Sequence, residues 1–156
     1  MNNRERIASA LAESDWPALR RCLVERPGAA RHLIAALHTA DEAASRRAAR
    51  GFEELAHALE REKLLDQVRR LMWMLNEESG NNCPPAALAL GHVARVLPEA
   101  VLPHLPVLEL YAGDPSERMR RWVREGIRMI REAEMDTVPG HSSSPRRRGG
   151  EGRGRE

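Results

Sequence analysis

The chain is poor in residues that build β-sheet, cross membranes or react. Its 156 residues hold 3% aromatics: three Trp, Phe52 and Tyr111. So few strand-favouring residues argue against a sandwich or barrel. Two cysteines, Cys22 and Cys83, cannot make a disulfide framework. No apolar run approaches the ~18 residues a spanning helix needs. The opening, Met1-Asn2-Asn3-Arg4-Glu5-Arg6, lacks the apolar core of a secretory leader. These absences predict a cytoplasmic protein with no membrane partner. The metal spacings C-x-x-C, H-x-x-x-H and H-E-x-x-H are missing, as are G-x-S-x-G, a glycine-rich phosphate loop and a haem-attachment C-x-x-C-H. No catalytic, metal or cofactor residue is therefore assigned, and no cofactor is expected. Lysine is nearly absent too: of 25 basic residues only Lys63 is one. Richness in arginine is thus a habit of the whole chain and a weak pointer to function.

Charge is unevenly placed. Residues 137–156 hold five Arg and two Glu, a net of +3, while residues 1–136 hold 20 basic and 21 acidic side chains, a net of −1. The basic character sits in the tail, and the body creates no strong field for nucleic acid. The tail, His141-Ser142-Ser143-Ser144-Pro145-Arg146-Arg147-Arg148-Gly149-Gly150 and beyond, has too little apolar surface to offset its ordering entropy. Two regions are expected: a folded domain over 1–136 and a disordered Arg/Gly/Ser-rich tail over 137–156.

Apolar periodicity predicts eight helices and no strand. The first covers Arg4 to Leu11. The second, capped by Ser14-Asp15, runs from Trp16 to Glu25 with Trp16, Leu19, Cys22 and Leu23 on one face. Pro27-Gly28 ends it. A third spans Ala29 to His38, burying Leu33, Ile34 and Leu37. Asp41 caps a fourth that reaches Leu59 and turns Ala44, Ala48, Phe52, Leu55 and Leu59 inward. The fifth, Arg61 to Asn76, places Leu64, Leu65, Val68, Leu71, Met72 and Leu75 on one stripe. The sixth, Pro85 to Leu97, is apolar nearly all round and is expected at the centre of the fold. Pro98 opens a seventh that ends at Tyr111, with Pro103 and Pro106 forcing a late start or a kink. The eighth, Glu117 to Ala133, buries Met119, Trp122, Val123, Ile127 and Ile130.

Three of these helices align on a glycine. Gly51, Gly91 and Gly126 lie 40 and 35 residues apart, within the period of helical repeats. One glycine in a helix costs ~1 kcal/mol against alanine, so three in register point to close helix contacts. The stretch Pro85-Ala86-Ala87-Leu88-Ala89-Leu90-Gly91-His92-Val93-Ala94, then Pro98-Glu99-Ala100-Val101-Leu102-Pro103-His104-Leu105, resembles a HEAT repeat of the PBS-lyase type. The resemblance covers about residues 41 to 134. Trp73-Met74-Leu75-Asn76-Glu77-Glu78-Ser79-Gly80 and the following Cys83-Pro84-Pro85 are further similar to a small group of bacterial HEAT-like proteins. Leu90-Gly91-His92 stands where that group has an acidic ending. The resemblance implies an all-α fold: a short right-handed α-solenoid of antiparallel helix pairs, armadillo-like, with the disordered tail.

The resemblance leads to a function of docking. The chain is expected to be a noncatalytic protein–protein interaction scaffold with an unidentified protein partner. Its contacts would be Arg69, Arg70, Trp73, Asn76, Glu77, Glu78, Asn81, Asn82 and Cys83, from the exposed side of the fifth helix and the loop after it. Trp73 lies off the apolar stripe, which suits a docking anchor or packing on a neighbouring repeat. Two alternatives stand beside this. The Asn76–Cys83 loop, with carboxylates and a thiol at a helix start, suits an accessory cofactor-handling or lyase-like protein. The stripe Arg120, Arg124, Arg128 and Arg131, flanked by Arg118 and Arg121 and followed by the basic tail, suits nucleic acid. It equally suits a solvated face paired with Glu117, Glu125 and Glu132.

Overall fold

A computed structural model describes residues 1–76, 78 and 82–137. The region expected to be a disordered tail lies outside these residues, save for Thr137. Among the described residues the fold is all α. The helices are α1 (Asn3–Ala12), α2 (Trp16–Glu25), α3 (Ala30–Ala36), α4 (Glu42–Ala58), α5 (Arg61–Met74), α6 (Pro85–Val96), α7 (Leu105–Tyr111) and α8 (Glu117–Thr137).

Their starts follow from capping chemistry. At α1 the Asn2 side chain accepts from the Glu5 N–H while Glu5 accepts from the Asn2 N–H, a reciprocal box. Asp15 accepts from the Ala18 N–H at 3.2 Å and starts α2. Asp41 accepts from Ala43 at 3.0 Å, and Ser116 from Met119 at 3.2 Å, at the heads of α4 and α8. Proline delays α7. Pro98–Ala100 and Leu102–His104 are single 3-10 turns, and the α-helix begins only at Leu105. The late start is the outcome of the two expected from the prolines.

Packing places α6 at the centre. It lies between α4 and α8, with α5 also against it, while α2 packs on α4, and α3 and α7 pack on α4 and α8. Only Arg95 of α6 is exposed. The core runs from Ile7, Leu19 and Leu33 through Phe52, Leu55 and Leu71 to Leu90, Trp122 and Ile130.

All three aligned glycines are buried, and they work in two ways. A Cβ on Gly126 would lie 2.3 Å from the Ala87 carbonyl oxygen, and one on Gly91 would lie 2.9 Å from Met129 Cβ. Here α6 and α8 meet at backbone distance. A Cβ on Gly51 would instead meet the side-chain ends of Leu19 and Leu33 at 3.0 Å and Leu11 at 3.3 Å. Close backbone approach therefore applies to Gly91 and Gly126, whereas Gly51 makes room for leucines.

Candidate functional site

The outward side of α5 carries the expected contact residues. Arg69, Arg70 and Trp73 are all exposed. Trp73 is 55% exposed because its position falls outside the stripe formed by Leu64, Val68, Leu71 and Leu75. Of the two roles open to it, the structure leaves it on the surface. Arg69 pairs with Asp66 one turn earlier. It also lies near His104, whose pKa is lowered by burial and then by the Arg69 charge. Val107 and Leu110 of α7 are exposed as well, at 45% and 78%. Sequence periodicity missed these two, because the prolines before them obscured where α7 begins.

The segment after α5 divides. Asn76 accepts from the Glu78 N–H at 2.8 Å through its side chain, and Glu78 is exposed. Asn82 is exposed. Glu77 and Asn81, two of the expected contacts, lie outside the described residues, as do Ser79 and Gly80. Cys83 is buried. Its N–H donates to the Met74 carbonyl at 2.7 Å, tying the head of α6 to the end of α5. Burial pushes its thiol up to about 11, although the Ala86 N–H pulls the other way. At neutral pH it is a protonated, inward-facing thiol and a poor nucleophile. It is not presented with the other contact candidates. Leu37, His38, Thr39, Pro84 and Arg118 complete a shallow depression of about 260 Å³ beside it.

Sequence reasoning missed a second polar cluster, which runs across α2, α4 and α6. Glu54 is 4% exposed yet charged. Its carboxylate accepts from Arg20 Nε and from Arg50 Nη1, each at 2.8 Å. Burial pushes its pKa up, but the Arg50 and Arg20 hydrogen bonds outweigh that and hold it below the usual carboxylate range. Arg50 also covers the Trp16 ring at 4.5 Å. One position earlier, Glu53 meets His92 Nδ1 of α6 at 2.6 Å. Burial lowers the His92 pKa, and the Glu53 carboxylate opposes it only in part. His92 is then a neutral imidazole whose Nδ1–H donates to Glu53. The apolar stripe of α4 does not reveal such groups, since Glu53 and Glu54 are not among its apolar positions.

The arginine stripe of α8 is largely committed. Arg121 bridges to Glu42, Arg128 to Glu132, and Arg131 to Glu109 of α7. Arg120 donates to the Asp114 and Pro115 carbonyls at 2.7 and 2.9 Å. Arg118 and Arg124 have no ion-pair partner among the described residues, though the Arg118 charge acts on Cys83. Glu125 faces α4 and takes both terminal nitrogens of Arg46, at 2.7 and 2.9 Å. Arg46 in turn lies 4.9 Å from the centre of the buried Trp122 ring. That bidentate bond holds the Glu125 pKa below its usual range. Among the described residues no three His, Cys, Asp or Glu side chains gather as a metal site would require, and none of the helices is long and apolar enough to cross a membrane. No family model matches the chain, and neither does any curated protein or solved structure.

Proposed function

We propose that the protein is a noncatalytic interaction scaffold built from stacked HEAT-like helix pairs, and that a protein partner docks on the α5 side. The exposed Trp73 carries this reading. A large aromatic with over half its surface in water, flanked by Arg69 and Arg70, has the make-up of a binding anchor. Asn76, Glu78 and Asn82 supply a polar rim. Val107 and Leu110 on α7 add exposed apolar surface on a second helix. The central burial of α6 and the glycine contacts at Gly91 and Gly126 support a stacked-repeat architecture. A thiol-based role for Cys83 loses its support with the thiol buried and protonated. Nucleic-acid binding through α8 is weakened by the carboxylates already paired with its arginines.

Affinity capture from cells of the native source, wild type against Trp73→Ala, tests the reading. A protein retained in stoichiometric amount by the wild type and lost by the variant is expected. Identical capture by both removes the α5 face from consideration.

A further inference from the structure

The depression beside Cys83 has a lining of one sign. It lies where three segments meet: residues 37–40 between α3 and α4, residues 82–85 at the head of α6, and Arg118 in the first turn of α8. The grooves elsewhere carry carboxylates: Glu25 and Glu54 beside α2, Glu132 and Asp136 near the end of α8, Glu13 and Asp15 beside α1. None lines this one among the described residues. The next two residues along the chain from its wall, Asp41 and Glu42, are already engaged. Asp41 accepts from the Ala43 and Ala44 N–H groups, and Glu42 is shared by Arg46 and Arg121.

The polar side chains of the depression are donors. Arg118 has no ion-pair partner among the described residues, and its charge reaches the Cys83 thiol across the site. Thr39 Oγ1 accepts from the Asp41 N–H at 3.2 Å, which leaves its own hydrogen to donate elsewhere. His38 and Asn82 are exposed and bring an imidazole and an amide NH2. The backbone adds little. Pro84 and Pro85 have no N–H, and those of Ala86 and Ala87 go to the Cys83 and Pro84 carbonyls at 3.0 Å. Asp41 and Ser116 cap the heads of α4 and α8. Ligation therefore falls to side chains, and no helix end supplies it.

The arrangement of donors decides what fits. A carboxylate would be satisfied by the arginine fork alone. A fork, a hydroxyl and an amide from three separate segments suit a tetrahedral group with more oxygens. We infer that this depression binds a phosphate group, free or carried as a small monoester, with Arg118 pairing two of its oxygens and Thr39, His38 and Asn82 donating to the rest. Its volume of about 260 Å³ and the apolar sides of Leu37 and Pro84 admit a small attached group. Buried Cys83 packs beside the ligand and does not bond to it. The site shares only Asn82 with the α5 face and does not depend on that reading.

Phosphorus NMR titrations and thermal unfolding of the full chain, at constant ionic strength, test this with inorganic phosphate and glycerol phosphate as probes. Binding of at least one is expected, with a rise in melting temperature against a chloride control. Tighter binding of glycerol phosphate assigns the site to a monoester, and equal affinity assigns it to the bare group. Arg118→Gln should weaken binding by about tenfold or more, and His38→Ala by a smaller factor. Both side chains are exposed, so unfolding without phosphate should be unchanged. Arg124→Gln, at another α8 arginine without an ion-pair partner among the described residues, should leave affinity intact, as should Trp73→Ala. Absent binding of both probes overturns the inference, as does affinity untouched by Arg118→Gln. Equal weakening by Arg118→Gln and Arg124→Gln also overturns it, because the attraction would then belong to overall charge.

Discussion

The seam between α6 and α8 and the seam between α2 and α4 solve one problem with different materials. At the first, glycine and alanine bring two backbones together, with Gly126 against the Ala87 carbonyl. At the second, leucine ends fill the space around Gly51, and a buried Glu54 is tied to two arginines. At Gly126 the first seam meets backbone that cannot turn aside, with the Met129 side chain beside Gly91 its one flexible neighbour. The second is made of side chains that can turn, and part of its strength depends on protonation. A close backbone seam should therefore be brittle to added volume, and a side-chain seam tolerant of volume but sensitive to acid.

The largest effect should come from Gly126→Ala. The added methyl meets carbonyl oxygen at 2.3 Å, so the helices must part. Overpacking outweighs the gain in helix propensity, and chemical denaturation should record a loss of about 3 kcal/mol. Next is Glu54→Ala, expected to cost about 2 kcal/mol through two lost charged hydrogen bonds. Third is Gly51→Ala, which meets only leucine methyl groups at 3.0–3.3 Å. Rotation of those side chains and better propensity nearly cancel, leaving a change within about 1 kcal/mol. If Gly51→Ala proves as damaging as Gly126→Ala, the distinction between the seams fails. Trp73→Ala should be smallest, within about 0.5 kcal/mol, as befits an exposed side chain kept for contact.

Acid sharpens the same contrast. The folded Glu54 pKa lies below its ordinary value, so its contribution is complete above pH ~4.3 and is lost as pH falls through the folded pKa. His92 adds a loss that begins at higher pH. Its folded pKa is lowered, so below pH ~6.5 the unfolded chain takes up a proton that the folded chain refuses. Urea titrations should show the gap between wild type and Glu54→Gln narrowing from neutral pH to strongly acid pH. The gap between wild type and Gly126→Ala should change less, because the atoms the added methyl meets are the Ala87 backbone and carry no titrating group.

Much of the fold was legible because it depends on local rules. The Trp16–Glu25 helix was expected with both of its observed ends, since Asp15 caps it and Pro27-Gly28 follows. The centrality of α6 followed from its lack of a wet face, and the delayed α7 from Pro98, Pro103 and Pro106. At the α5 face, the displacement of Trp73 off the stripe left exposure and packing on a neighbouring repeat both open, and the structure has it exposed. What stayed hidden depends on partners far apart in sequence. Glu54 is buried because Arg20, thirty-four positions away, reaches it. Arg46 finds Glu125 across seventy-nine. No window of local pattern contains both members of such a pair. Cys83 misled for a related reason. A helix start favours a thiolate, but Cys83 is buried and its N–H is tied to Met74 at the end of α5, distant from the helix it opens.

Because α6 is wrapped by α4 on one side and α8 on the other, the molecule has no natural place to be divided. A protease nick in the stretch joining α5 to α6 would give two pieces, each with a long greasy strip laid bare. Such pieces should find one another again when mixed, as halves of a split reporter do, and neither should persist alone.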